Sequence, residues 1–580
     1  NLNEVEKHTL KVEILPLKIN ATTVEFVIPK LTPGNYWPTN YIRFYSGFKA
    51  YDKNNIRLRT KRKKNKIIIY GANKLDRLCY SVKQNMGDKK IWDNVFGCGG
   101  TVFRKNAFLL NFDLVAGYFK GYDKLPIEIE VIKPQDLYAS TAQQLIRQTP
   151  VQDNFMVKNY FDLVDKPTMY CKPDTTSFLV GNSKFYISVY AEQGNIKATR
   201  LKPTLKKIIT SVNDFFGFLP VSEYHFLIYA VKPDSLKGYI NRLGLYSALE
   251  HMNCSVYYGE DLADTNIVKS IFTDDAMHEF LHLWAPLTIH TDKIEDYNFE
   301  TPDMSENIWF YEGFTDYLTA YIIGKYKLRD SFFENSLLAA ISSAKKQKAI
   351  SFTQNCLSLQ SHSVFTALKK YHRLDNCYER GKLVAFCLDL ELMKLSNNSF
   401  RLKNLMAKLY DTYAFKQKCK DNEFADVLIS LTYPQIKPFI DKYVKGDELP
   451  PYQDYLALLG WRYIENNEKI SSYGAYNFGY RPASKNIFMK DVKHSAIKIQ
   501  NNDTLLEVNG KPPGNDWSDF FFPQKNDSIQ IKVNRNGNVL YLKGLANDYR
   551  KIQGNGLLRT YNWQTRQVFF ADFFGISPKD

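Results

Sequence analysis

The sequence predicts a multidomain α+β protein with a β-rich N-terminal part, a middle part that passes from strands to helices, and a strand-rich tail. Three observations carry this. Over residues 1 to about 165, short stretches alternate apolar and polar residues between Pro, Gly and Asn, the pattern of half-buried strands joined by turns. From about residue 262 the apolar spacing becomes that of helices. After about residue 445, beyond PPYQ, alternation returns. The 580 residues suffice for roughly three or four domains, and divide on this reading into 1–165, 166–445 and 446–580.

In chain order, HTLKVEIL, TVEFVI, KIIIY and LPIEIEVI are the clearest early strands, and FLVGNSKFYISVYAE and EYHFLIYAV carry strands into the middle part. TNIVKSIFTDDAMHEFLHLW, SENIWFYEGFTDYLTAYIIGKY and ERGKLVAFCLDLELMKL have helical spacing. Pro286 closes the first, and Gly324 lies near the end of the second. PPYQ reads as a linker, and SAIKIQ, TLLEVNG, SIQIKVNRNG and NVLYLKG as strands of the tail.

Composition narrows the function classes. A chain with 44% hydrophobic and 15% aromatic residues builds packed cores and is not disordered. No apolar run reaches the ~18 residues of a membrane helix; the richest, FLLNFDLVAGYF, is broken by Asn111 and Asp113. The eight cysteines are scattered without a CxxC pair, which excludes a dense disulfide framework. The net charge of +16, 77 basic against 61 acidic residues, admits a nucleic acid or an anionic surface. No nucleic-acid fold signature accompanies it, however. The densest run, KRKKNK at 61–66, precedes a strand as a solvated hairpin would. Neither a nucleic-acid partner nor a transmembrane segment is expected. The chain opens on Asn1 rather than methionine, in keeping with a cleaved leader.

The chemistry concentrates in DDAMHEFLHLWAP, residues 274–286. On a helix His278 and His282 stand one turn apart and can face one ion, while Glu279, rotated by about 100°, can reach a water on it. The alternative is a pair of histidines on an ordinary amphipathic helix. A catalytic zinc takes three protein ligands and keeps a position open. Thirty residues beyond His282, WFYEGFTDY sets Glu312 among apolar residues, where a carboxylate is costly unless paired or bound to a cation. Asp316, four residues on, can accept from the second ring nitrogen of a ligating histidine. Two unrelated surface acids are the alternative. With zinc on His278, His282 and Glu312, a bound water becomes acidic near pH ~7 and the scissile carbonyl is polarised. Glu279 then carries the water's proton to the leaving amine, and the oxyanion needs a further donor.

Taken together, these stretches resemble the glycyl aminopeptidases, zinc metallopeptidases with a β-rich N-terminal domain, a thermolysin-like catalytic domain and a C-terminal PDZ domain. The resemblance covers nearly the whole chain. LTPGNYWPTNYIRFYSGFKAYD (31–52) is similar to the family's N-terminal PGxY…frA signature, HEFLHLW and WFYEGFTDY to its zinc motifs, and YERGKLVAFCLDLEL (378–392) to its Y-x-K-G…LD segment. It implies one Zn2+ on His278, His282 and Glu312, with Glu279 as base. It implies Tyr378 as oxyanion donor, a phenol being a neutral donor at pH 7. A GGLEH-like segment, here YSALEHMNCSVYY, implies that Glu250 holds the substrate's free amino group, with His251 in support. Substrates would then be peptides with a free N-terminus, losing small Gly- or Ala-type residues.

Three departures bear on that transfer. The two glycines of GGLEH are Ser247 and Ala248, whose side chains narrow any close backbone approach. A WNVKRI-like basic stretch is replaced by LWAPLTIH, which loosens the link to Gly or Ala. In the tail, AIKIQNNDTLLEVNGK resembles GLxxGDxIxxVNG but lacks both glycines before Asp503, so the nest that would hold a peptide carboxylate is lost. A structural or autoregulatory role for this degenerate PDZ-like part stands beside peptide capture. The family is mostly bacterial and often exported, so a periplasmic or cell-surface location is expected. Two rivals stay open: a zinc endopeptidase of the same clan, and a catalytically silent peptide-binding protein in which zinc braces the fold. Glu279 has no use in the latter.

Overall fold

In this computed structural model the described residues are 1–36, 41–86, 98–172, 174–233, 246–346, 351–352, 376–414, 419–481, 486–512, 523, 525–551, 555–559 and 572–573. They fall into two compact units, Asn1–Asp330 with Ile350–Lys382 and Lys403–Pro434, and Ser331–Ala349 with Leu383–Leu402 and Gln435–Asp580.

The first unit opens with small antiparallel sheets. Thr9–Ile14 pairs with Leu75–Lys83, which pairs with Tyr45–Asp52. Thr23–Val27 pairs with Lys66–Tyr70, whose other neighbour is Thr60–Lys63. KRKKNK is therefore a hairpin that turns at Lys64, φ 54°, with side chains 61–64 exposed. Phe26, Tyr45, Tyr80 and Phe119 form the aromatic heart beneath these strands. Asp113, from the interrupted apolar run, is buried there and accepts from the Thr32 hydroxyl.

A mixed sheet follows: β1 Thr175–Val180, β2 Ser183–Ala191, β3 Glu223–Val231, β4 Tyr246–His251 and β5 Cys254–Glu260, in the order β1-β2-β3-β5-β4. β2, β3 and β5 run parallel, and both edge strands are antiparallel. Helix α1, Ala198–Phe216, makes the crossover from β2 to β3 and buries Leu201, Leu205, Ile208, Val212 and Phe215. β5 is buried at every position, as a central strand covered on both faces must be. Helix α2, Thr265–Leu281, starts where the Asp264 carboxylate accepts from the N–H groups of Asn266 and Ile267.

The two later helices differ from the sequence expectation. Helix α3 spans Thr315–Lys325, and the WFYEGF before it, Trp309–Phe314, is a π-helical turn. Likewise Asn376–Arg380 is a π-helical turn ahead of helix α4, Gly381–Leu395. The cause is a backbone approach. A Cβ on Gly313 would stand 2.5 Å from the Gly381 Cα, and one on Gly381 would stand 2.8 Å from the Trp309 carbonyl oxygen. Only glycines admit two segments this close. All six residues of the first π turn are buried, and such turns gather at functional sites.

The second unit carries helices, including Phe332–Lys346 and Tyr452–Leu458, and a five-stranded antiparallel meander: Gly474–Arg481, Asn486–Ser495, Thr504–Val508, Ser528–Arg535 and Asn538–Leu545. PPYQ thus begins a short helix instead of a linker. The strand expected over SAIKIQ ends at Ser495; the chain turns there, with Lys498 at φ 60°. Met489, Leu505, Ile529, Ile531 and Val533 fill the core of the meander. Asp503 is fully buried and accepts from Arg535 Nε at 2.8 Å and Nη2 at 2.7 Å. A meander alone does not identify a PDZ domain. The fold class stands as mixed α and β, strand-rich at the N-terminus and helical further on. Among the described residues no helix is long and apolar enough to cross a membrane.

Candidate metal centre and active site

Helix α2 is anchored by Val268, Phe272, Ala276, Met277 and Phe280, which fixes the direction of His278, Glu279 and His282. The two Nε2 atoms lie 3.0 Å apart, and Glu312 Oε2 lies 3.4 Å from that of His278 and 3.6 Å from that of His282. Ligand atoms ~2.0–2.2 Å from one tetrahedral zinc stand about 3.3–3.6 Å apart, so this triangle suits such an ion. Glu312 Oε2 and Glu279 Oε2 are buried and lack a hydrogen-bond partner. An orphaned buried carboxylate oxygen is expensive, and a cation between the imidazoles answers the first of them.

The outer ring nitrogens are tied down. His282 Nδ1–H donates to the Ala285 carbonyl at 2.9 Å, and His278 Nδ1–H donates to Asp316 Oδ1 at 2.9 Å. Both assignments turn the Nε2 lone pairs toward Glu312. Burial opposes ionisation of Asp316, but the Lys382 ammonium, 3.3 Å away, and the His278 N–H outweigh it and hold the carboxyl below its ordinary range. Glu312 is likewise kept low: burial resists, while His282, His278 and the Tyr36 hydroxyl prevail. Burial pushes Glu279 up to about 8; His278 opposes and Glu312 adds.

A second grouping, Glu250 with Glu279 and His282, also brings ligand atoms within 4.8 Å. The first grouping is the better metal site. Its three ligand atoms lie 3.0, 3.4 and 3.6 Å apart, near the spacing around one tetrahedral zinc.

Around this triangle stand the remaining residues. Glu250 lies on the edge strand β4 and is buried. Strand alternation puts Ala248 on its face and Ser247 on the other, where the Ser247 hydroxyl donates to the Tyr258 carbonyl. Of the two replaced glycines, only Ala248 therefore shares the face of Glu250. The Tyr378 ring lies over His278, centroids 6.3 Å apart and 20° from parallel.

Several contributors had no site role assigned from the sequence. The Tyr36 hydroxyl donates to Glu312 Oε1 at 2.5 Å. Gly34, at φ +79°, lies so near Glu250 that a Cβ there would come within 2.5 Å of Oε1. Lys382 joins Asp316. Asp421 accepts from Thr291, Ser305, Asn307 and the Glu306 N–H, tying down the approach to the first π turn. Gly34 and Tyr36 lie in the PGxY stretch matched in the sequence, but nothing in it pointed to Glu312, 276 positions away.

Comparison with known proteins adds the family. The model described as the peptidase M61 N-terminal domain matches residues 1–172, and that of the M61 glycyl aminopeptidase matches residues 272–384. The chain belongs to the M61 glycyl aminopeptidase family. The M61 N-terminal match contains Gly34 and Tyr36. The glycyl aminopeptidase match contains His278, Glu279, His282, Glu312, Asp316, Tyr378 and Lys382, and Glu250 falls between the two. No curated protein matches by sequence. Among solved structures, an aminopeptidase N family protein from Idiomarina loihiensis is 17% identical over 99% of this chain and 98% of its own, with a TM-score of 0.69, and shares the fold. An M1 zinc metallopeptidase from Deinococcus radiodurans is 12% identical over 76% of this chain and 90% of its own, with a TM-score of 0.44.

Proposed function

We propose that this M61 family member is a zinc-dependent aminopeptidase of the HExxH…E type, thermolysin-like in its catalytic part, acting on peptides with a free N-terminus. The observation that carries the reading is the triangle of His278, His282 and Glu312 with two further carboxylates, Glu279 and Glu250, within reach of it.

Zinc bound there supplies an acidified water and a polarised carbonyl. The chain's own groups do the rest. Glu250 accepts hydrogen bonds from the substrate ammonium and so fixes which peptide bond reaches the centre. Burial among carboxylates lifts Glu250 toward the neutral form, and an incoming ammonium reverses this by pairing with the ionised group. Glu279, its carboxyl raised toward neutral pH, takes a proton from water and returns it to the leaving nitrogen. Tyr378 donates its phenol hydrogen to the oxyanion. His278 and His282 keep their tautomers through Asp316 and the Ala285 carbonyl. The N-terminal strands to about residue 165 and the degenerate PDZ-like tail beyond 446 would precede and follow this machinery in the chain as separate domains.

Hydrolysis of amino-acid anilides with and without a chelator tests the reading. Chelator-sensitive release from free amines, and none from N-acetylated substrates, is expected. Cleavage of the N-acetylated set would point to an endopeptidase, and zinc binding without turnover of any peptide to a binding protein. Glu279→Gln should lower kcat at least ~100-fold with zinc content unchanged; full activity in that variant would contradict the mechanism.

A further inference from the structure

A cavity of about 60 Å³ opens beside Glu250. Glu250 belongs to two places at once. Its side chain lines the cavity, and one of its oxygens lies within 4.8 Å of ligand atoms on Glu279 and His282. An amine held by Glu250 therefore borders both the reacting centre and the cavity.

Much of the wall is carbon, with Leu31, Pro286, Leu287, Met304 and Ile308 among its members. The other acids of the wall are already engaged. Asp165 accepts from the Met252 N–H at 3.2 Å and faces His251 at 3.4 Å, and Asp303 pairs with Lys293 at 3.2 Å. Ser305 donates to Asp421. Among the described residues no ion pair involves Glu250. With Glu250 taken up by the substrate's amine, a cationic side chain entering the cavity would lose water without gaining a free acid, and an anionic one would meet the acids already there. The space holds roughly four water-sized groups, the bulk of an isopropyl or isobutyl group, and a glycine would leave it unfilled. Pro286 and Leu287 belong to LWAPLTIH, the stretch that departs from the family's basic pattern.

We infer that this cavity receives the side chain of the substrate's first residue and selects an aliphatic group of valine to leucine size over glycine and over charged residues. The inference rests on the aminopeptidase reading for its catalytic consequence. As a binding statement it stands without it.

The experiment therefore has two arms. In the first, kcat/KM is measured with wild-type zinc-loaded protein on Gly, Ala, Val, Leu and Lys anilides. Each buried methylene strengthens binding about fourfold, so Val should exceed Gly by ~60-fold and Leu by up to ~250-fold. In the second, calorimetry follows leucinamide, glycinamide and lysinamide binding to zinc-loaded Glu279→Gln. Leucinamide is expected to bind tightest by a similar factor, and Leu287→Phe, which narrows the cavity, should shift the leucine-to-glycine ratio toward glycine. Glycinamide or lysinamide binding as tightly as leucinamide would overturn the assignment, as would turnover fastest on glycine. Preferential leucinamide binding with no turnover of any substrate would sustain the cavity and sink the peptidase reading.

Discussion

Glu312 has its two oxygens divided between two tasks. Oε2 faces the Nε2 atoms of His278 and His282, while Oε1 is held by the Tyr36 hydroxyl at 2.5 Å. That bond fixes the carboxylate rotation, so one oxygen alone is offered inward. Partners of this kind typically matter 10–100-fold for metal affinity. Tyr36→Phe is accordingly expected to weaken zinc binding by about that factor in a chelator competition, with the thermal midpoint little changed. Unaltered zinc affinity would mean that Tyr36 only fills space. At this scale the sequence was readable where one helix places the chemistry: the spacing of His278 and His282 and the apolar setting of Glu312 pointed to one another. Tyr36 stood in a matched stretch, but its contact with Glu312 was not readable, nor was the part of Lys382, because a tyrosine in a turn and a lysine on a helix have ordinary solvated roles that local sequence cannot distinguish from these.

Helix existence was legible and helix winding was not. Apolar spacing announced α2, α3 and α4, and nothing local distinguished their π-helical lead-ins from regular turns. Those turns depend on Gly313 meeting Gly381, a contact between segments far apart in sequence. Gly313→Ala forces atoms into that contact and should cost about 1–3 kcal/mol. It should also loosen the zinc site, since Glu312 is the adjoining residue. Denaturant midpoints and zinc affinity of the variant measure both, and a variant as stable as wild type would show that the approach is not needed. The tail shows the same limit from the other side. Asn486–Ser495 is a strand although its sequence is mostly polar, and SAIKIQ, with better alternation, is a turn because the chain leaves the sheet at Ser495.

Over the whole chain, the passage from strands to helices to strands could be read because composition and period change together. Which early strands pair, and what they bury, could not. Asp113 illustrates this: it looked like an interruption of an apolar run and is instead a core residue. Burial pushes its carboxyl up to about 7, with Thr32 opposing, against an ordinary value of 3.8. Between those values the folded chain binds more protons than the unfolded one. Stability from this group therefore falls as pH rises from about 4 to about 7, by up to about 4 kcal/mol. Asp113→Asn should flatten that part of the stability profile, measured by denaturant midpoints from pH 4 to 8; an unchanged slope would place the proton elsewhere. The most direct measurement for the account as a whole is anomalous diffraction at the zinc edge from crystals of the zinc-loaded protein. One strong peak ~2.0–2.2 Å from His278 Nε2, His282 Nε2 and Glu312 Oε2 is predicted. A peak among Glu250, Glu279 and His282 instead, or none at this place, would contradict it.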